Sequence, residues 1–235
     1  MITGALQRPL YILTLLLLGH SSHAQNTIGI PPIINYAKQT YSAGSQNWNM
    51  AQDSSGIMYF ANNDGLLSFD GTFWRLYHLP NRTIARSVAV SNDNRVYTGG
   101  QGEIGYFSPG DNGELVYTSL NTLIPAGEND FADVWNICFF RQHVFFRANK
   151  KIIEYDGHKI LVHASDNWGY LGVVNGELLA REDSRGLLSY EAGQWVPRIK
   201  AGALPTNNFM LRTVLPFGKD SLLLVRAKLP NDDDD

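Results

Sequence analysis

The chain has 235 residues, 44% of them hydrophobic and 17% charged, and its 19 Lys and Arg against 22 Asp and Glu leave a net charge of −3. A hydrophobic fraction of that size excludes a globally disordered chain. The slight acidity excludes a strongly basic nucleic-acid-binding surface. The single cysteine, Cys138, excludes an intramolecular disulfide framework, and no Cys/His cluster has the spacing of a zinc site.

The N-terminus reads as an export signal. Arg8 is the only charged side chain in the first 24 residues, an apolar run follows at residues 10–18, and Ser22 and Ala24 supply a small-x-small end. Residues 1–24 are therefore a predicted signal peptide, with cleavage before Gln25. The apolar run falls short of the ~20 residues that a membrane-spanning helix needs. Loss of Arg8 takes the mature charge to 18 − 22 = −4. The expected location is periplasmic or secreted. Cys138, within Asn136-Ile137-Cys138-Phe139-Phe140, reads as a buried, inert thiol suited to an oxidising compartment.

From Trp48 onward short strand-like runs alternate with Gly, Asn and Asp turns. One run recurs around Tyr59, Tyr97, Phe145, Leu179 and Leu223, at spacings of 38, 48, 34 and 44 residues. The following run recurs at residues 65–69, 102–106, 151–155 and 186–190, and a further turn and strand follow near Trp74, Ile160 and Trp195. The preceding runs fall at 48–52, 85–90, 134–139, 170–174 and 211–215. Four short strands in a unit of about 40 residues predict an all-β fold made of β-propeller blades, each of four antiparallel strands. Stacking hides both faces of each blade, so the inner strands are expected to be the more apolar. The stretch 121–131 contains Pro125 and Gly127 and reads as an insertion rather than a helix. The repeat region runs over 25–229, with an acidic tail at 230–235. It counts as an incomplete propeller of four to five blades whose fifth unit begins at Leu211 and is cut off near Arg226–Leu229, and residues 25–45 are expected to supply a closing strand. The expectation is the N-terminal part of a larger repeat protein.

The runs Tyr41 to Trp48, Gln52-Asp53, Tyr59-Phe60-Ala61-Asn62, Gly65-Leu66-Leu67-Ser68-Phe69-Asp70-Gly71 and Tyr97 to Tyr106 carry a resemblance. They look like the two-component regulator propeller repeat family, the periplasmic sensor portion of Bacteroidetes-type hybrid two-component and triple-tyrosine regulators. The resemblance covers about residues 31–225 and departs in the fourth unit, where Arg181-Glu182 replaces a small polar turn. It implies an extracytoplasmic sensor module. It also implies further propeller and triple-tyrosine domains, a membrane helix and a kinase or DNA-binding output, none of them within this sequence, so that this stretch would not signal by itself.

Catalytic signatures are missing: there is no Gly-x-Ser-x-Gly, His-Glu-x-x-His, P-loop or EF-hand loop. Asn62-Asn63-Asp64-Gly65 and Ser91-Asn92-Asp93-Asn94 are fragments of calcium loops without the distal acid and read as tight turns. Gly99-Gly100-Gln101-Gly102-Glu103 reads as a blade turn rather than a phosphate cradle, and Asn81-Arg82-Thr83 as a chance glycosylation sequon. Paired acids such as Glu128 and Asp130, in the insertion, could serve a glycoside-cleaving site. No cofactor, metal site or catalytic residue is expected, nor direct nucleic-acid contact. In a propeller the strand starts ring one mouth of the central channel. By the repeat alignment that ring holds Trp48, Arg86, Trp135, Tyr170 and Arg212. Aromatic planes stack on sugar faces and Arg forks pair with carboxylate or sulfate, so the expected ligand is a carbohydrate or another extracytoplasmic signal. A secreted propeller hydrolase or lyase acting on polysaccharide, and a propeller that docks a partner protein, remain the alternatives.

Overall fold

The computed structural model describes residues 29, 33–204, 209–218 and 221–228. The predicted signal peptide at 1–24 and the tail expected at 230–235 lie outside the described residues. Four four-stranded sheets follow one another along the chain. The first is β1 (Asn47–Gln52), β2 (Met58–Asn62), β3 (Gly65–Phe69) and β4 (Trp74–Tyr77). The second is β5 (Ala85–Val90), β6 (Val96–Gly100), β7 (Ile104–Pro109) and β8 (Leu115–Ser119). The third is β9 (Val134–Phe140), β10 (His143–Ala148), β11 (Lys151–Tyr155) and β12 (Ile160–Ala164). The fourth is β13 (Trp168–Val174), β14 (Glu177–Glu182), β15 (Gly186–Glu191) and β16 (Gln194–Lys200), and a fifth sheet has two strands, β17 (Phe209–Phe217) and β18 (Ser221–Lys228). Every pairing is antiparallel and every sheet runs in chain order. These are β-propeller blades, four complete and the fifth represented by two strands.

The turns explain why the chain folds back so often. Asn175-Gly176 closes β13 onto β14 with both residues in the left-handed region (φ 51° and 78°), the conformation a two-residue hairpin needs and the one Asn and Gly adopt at least cost. The insertion at 121–131 holds only a short 3-10 turn, Asn121–Leu123, before the chain enters β9. Residues 33–45 contain no strand; they hold a one-turn helix, α1 (Lys38–Tyr41). The expected closing strand is therefore absent from the described part of 25–45.

Hydrophobic clusters fill the spaces between successive sheets. Tyr59, Leu66, Val88 and Phe107 pack the first pair, Tyr97, Val134, Phe146 and Ile153 the second, and Phe145, Trp168, Leu178 and Trp195 the third. Tyr170, Leu179, Leu187 and Val214 pack the fourth sheet against the β17–β18 hairpin. Each fully buried side chain of this size contributes roughly 1.5–3 kcal/mol. Packing is tight enough to dictate a glycine: a Cβ on Gly99 would sit 2.5 Å from Val134 Cγ1 and 2.6 Å from Ser87 Oγ. Gly99 thus brings the second and third sheets together, and the Gly99–Glu103 segment is a blade turn.

The burial gradient differs from expectation. The second and third strands of each complete sheet are the most buried, not the innermost. Inner strands border the central axis, so one side of each remains open. β1 is exposed along most of its length, with Met50 66% exposed, because no sheet precedes it among the described residues. At the other end Phe217 is 65% exposed on the β17–β18 hairpin. In the fourth sheet Arg181 and Glu182 belong to β14, and the turn falls at 183–185. Glu182 accepts hydrogen bonds from the Arg185 backbone N–H and the Ser184 hydroxyl, doing the work of the small polar turn residue found in the other repeats.

Candidate ligand-binding site

All five inner strands carry the same irregularity. Where β1 pairs with β2, Asn47 faces Asn62 and Asn49 faces Ala61, leaving Trp48 as an extra residue. The extra residue is Arg86 in β5, Trp135 in β9, Gly169 in β13 and Arg212 in β17. A bulge of this kind bends the strand and re-aims the side chain at its extra position. Four of the five residues expected at the mouth thus occupy one repeated structural position. Tyr170 does not. The alignment of the fourth repeat is one residue out of register, the bulge position there is Gly169, and Tyr170 is only 7% exposed, packed with Leu187, Leu211 and Val214. It still borders the cavity described below.

Trp48, Arg86 and Trp135 come together across the first three sheets. The Arg86 guanidinium carbon lies 4.1 Å from the Trp48 ring centre and 5.3 Å from that of Trp135. The two indoles are 5.8 Å apart, edge to face, and Trp48 donates its Nε1–H to Asn63 Oδ1 at 2.7 Å. Arg86 Nε donates to Asp133 Oδ1 at 3.0 Å, while its buried Nη1 has no hydrogen-bond partner among the described residues. Cation–π attraction and one ion pair therefore hold the guanidinium in place.

Beyond Trp135 a cavity of about 760 Å3 opens between the third, fourth and fifth sheets, bordered by Trp135, Tyr170 and Arg212. Alignment alone did not single out Arg147, Trp168, Arg181 and Asp183, which also line it. Arg147 and Arg181 sit near the ends of β10 and β14, which the antiparallel pairing returns to the same end as the inner-strand starts; Asp183 follows β14 and Trp168 opens β13. Three Arg against one Asp give this cavity a charge of 3 − 1 = +2, on a chain that is negative as a whole. Arg181 Nη2 is 3.3 Å from Asp183 Oδ1. Arg147 is different: it is 8% exposed, it donates to Asn136 Oδ1 at 2.7 Å and to the Trp168 carbonyl at 2.6 Å, and no carboxylate pairs with it among the described residues. Burial lowers its pKa to about 10, with opposition from Cys138, so it stays charged at neutral pH. A buried charge without a counter-charge is costly, and here its neighbours are a cavity and two indoles.

The other candidates have structural roles. Glu128 and Asp130 both bind the Lys151 ammonium, Glu128 at 2.8 Å, so they are not poised across a scissile bond. Asn62 donates to the Gly44 carbonyl and to Asn47 Oδ1 and accepts from the Asp64 N–H. Ser91 and Asp93 hydrogen-bond to each other within their turn. Cys138 has its thiol raised to about 11, by burial first and against Arg147. Among the described residues no group of three His, Cys, Asp or Glu could hold a metal ion, and no helix is long and apolar enough to cross a membrane.

No protein-family model matches the chain, and no curated protein matches its sequence. Solved structures do. The extracellular domain of a hybrid two-component system from B. thetaiotaomicron superposes with a TM-score of 0.57 at 16% identity, over 78% of this chain and 25% of that one. Virginiamycin B lyase from Staphylococcus aureus superposes with a TM-score of 0.58 at 14% identity, over 81% of this chain and 73% of that one. A protein of unknown function from Bacteroides caccae gives 0.54 at 13% identity, over 76% and 70%. The chain thus spans a quarter of the two-component extracellular domain. At these identities the likeness is one of fold, shared by a sensor and an enzyme.

Proposed function

We propose that this protein is an extracytoplasmic ligand-binding propeller module of the sensor type, acting in the periplasm or as a secreted protein, and that it takes an acidic saccharide at the mouth formed by the strand starts. The observation that carries the reading is Arg147, a buried cation without a carboxylate partner in the wall of a cavity flanked by Trp135 and Trp168. A carboxylate or sulfate would supply the missing counter-charge, with Arg212 and Arg181 able to share it, and a sugar face would stack on an indole. Output would need further domains, of the propeller and triple-tyrosine kind that the repeat resemblance implies. Glu128 and Asp130, the acids singled out for glycoside cleavage, do not line this cavity and are held by Lys151.

The test is calorimetric titration with a glucuronate-containing oligosaccharide and with its neutral counterpart. The acidic ligand is expected to bind at least about tenfold tighter, a difference of roughly 1.4 kcal/mol. Trp135→Ala combined with Arg212→Ala should abolish the ligand-induced thermal shift while leaving the fold intact. Equal affinity for the two saccharides, or binding unchanged in the double variant, would overturn the assignment. Cleaved product in the same mixture would move it to the lyase or hydrolase reading.

A further inference from the structure

The sheet ends opposite the bulges carry a second, unrelated constellation. Glu154, on β11, is 5% exposed, and both of its oxygens are engaged. Oε1 is 2.5 Å from His143 Nδ1, on β10; Oε2 is 2.8 Å from His163 Nε2, on β12, and accepts the Tyr190 hydroxyl of the neighbouring sheet at 2.5 Å. His163 is buried against Tyr190 and Trp195. His143 is not: its side chain is 39% exposed and borders a groove of about 370 Å3 between the third and fourth sheets.

The geometry of an imidazole then fixes what the groove sees. With Nδ1 turned inward to the buried carboxylate, Nε2 points the other way, and it has no hydrogen-bond partner among the described residues. A carboxylate accepting from one ring nitrogen fixes the tautomer and leaves the other nitrogen as an acceptor. The groove walls are apolar and mostly aromatic: Phe140, Phe145, Tyr190 and Leu161, with Leu161 strongly exposed. Its rim carries Arg141 and Lys159 against Asp156, whose Oδ1 accepts the His158 and Lys159 backbone N–H groups. Arg141 lies over the Phe140 ring and is held at the tip of the β9–β10 hairpin in a left-handed conformation (φ 50°), as is Gln142 (φ 70°). Two non-glycine residues in that region are uncommon, and such strain clusters at functional positions.

We propose that this groove is a second binding site, for a small aromatic hydroxy acid: its ring lies between Phe140, Tyr190 and Leu161, its hydroxyl donates to His143 Nε2, and its carboxylate pairs with Arg141 and Lys159. The volume suits a single-ring ligand. The site is independent of the saccharide mouth, because neither Arg141 nor Lys159 lines that cavity.

The experiment titrates the full chain with 4-hydroxybenzoate, benzoate and phenol, followed by calorimetry and by the imidazole nitrogen signals of His143 in NMR. Saturable binding of 4-hydroxybenzoate that moves the His143 signals is expected, about tenfold or more tighter than that of benzoate, which lacks the hydroxyl, or phenol, which lacks the acid. Arg141→Ala with Lys159→Ala, both exposed, should weaken it by about tenfold, and His143→Gln should bring it towards the benzoate value. Equal affinity for the three probes, unmoved His143 signals, or a double variant that binds like the parent chain would overturn the proposal. None of these outcomes depends on whether the mouth binds a saccharide.

Discussion

Replacing Glu154 with Gln is the most informative single perturbation of this fold. Burial on its own would raise the Glu154 pKa, but hydrogen bonds from His163, Tyr190 and His143 and the charge of His163 outweigh it and bring the value from 4.5 to about 2. At about 1.4 kcal/mol per pKa unit this corresponds to roughly 3 kcal/mol in favour of the folded state. Water reaching the groove past His143 screens part of that, so the expected loss on Glu154→Gln at pH 7 is about 2 kcal/mol, or about 4–8 °C in Tm. The sign of the pH dependence follows from the direction of the shift. A carboxylate whose folded pKa is depressed stabilises above its unfolded value and loses that contribution as pH falls towards its folded value. The stability gap between parent and variant should therefore be full above about pH 5 and shrink steadily towards pH 2. Arg141, Asp156 and Lys159 border the same groove and are present in both proteins. Urea unfolding of both chains at several pH values reads it directly. A gap below about 0.5 kcal/mol at neutral pH, or one that stays constant down to pH 2.5, would refute the account of how the third and fourth sheets are tied.

Other perturbations test separate parts of the structure. Gly99→Ala would drive a methyl group into Val134 and Ser87, and urea unfolding should register a loss of about 1–3 kcal/mol. Replacing Arg141-Gln142 by Asn-Gly would relieve the left-handed strain of the β9–β10 turn, and the melting curve should show a gain of about 1 kcal/mol. With its pKa at about 11, Cys138 should react with iodoacetamide at pH 7 roughly a hundredfold more slowly in the folded chain than in urea, measured by mass spectrometry.

The repeat was legible because its signals are short-range. Gly65, Asn175-Gly176 and Asp156-Gly157 mark turns within a few residues of the strands they join. The runs around Tyr59, Tyr97, Phe145, Leu179 and Leu223 all proved to be second strands of their sheets. Strand order and fold class follow from that pattern, since short antiparallel strands joined by tight turns pair with their chain neighbours. Spacing also placed Trp48, Arg86, Trp135 and Arg212 at one recurring strand position.

What spacing could not give was register within a pairing. A bulge is defined by two residues facing one on the partner strand, so Gly169 rather than Tyr170 holds the repeated position only once β13 is laid against β14. Long-range encounters were equally invisible. Arg86 between Trp48 and Trp135, Arg147 beside Trp168, and Glu154 among His143, His163 and Tyr190 join residues from different strands and, in most cases, different sheets. Local chemistry chose the strands and turns of this protein; the stacking of one sheet on the next decided which charges were buried, which were left without a partner, and where a ligand could meet them.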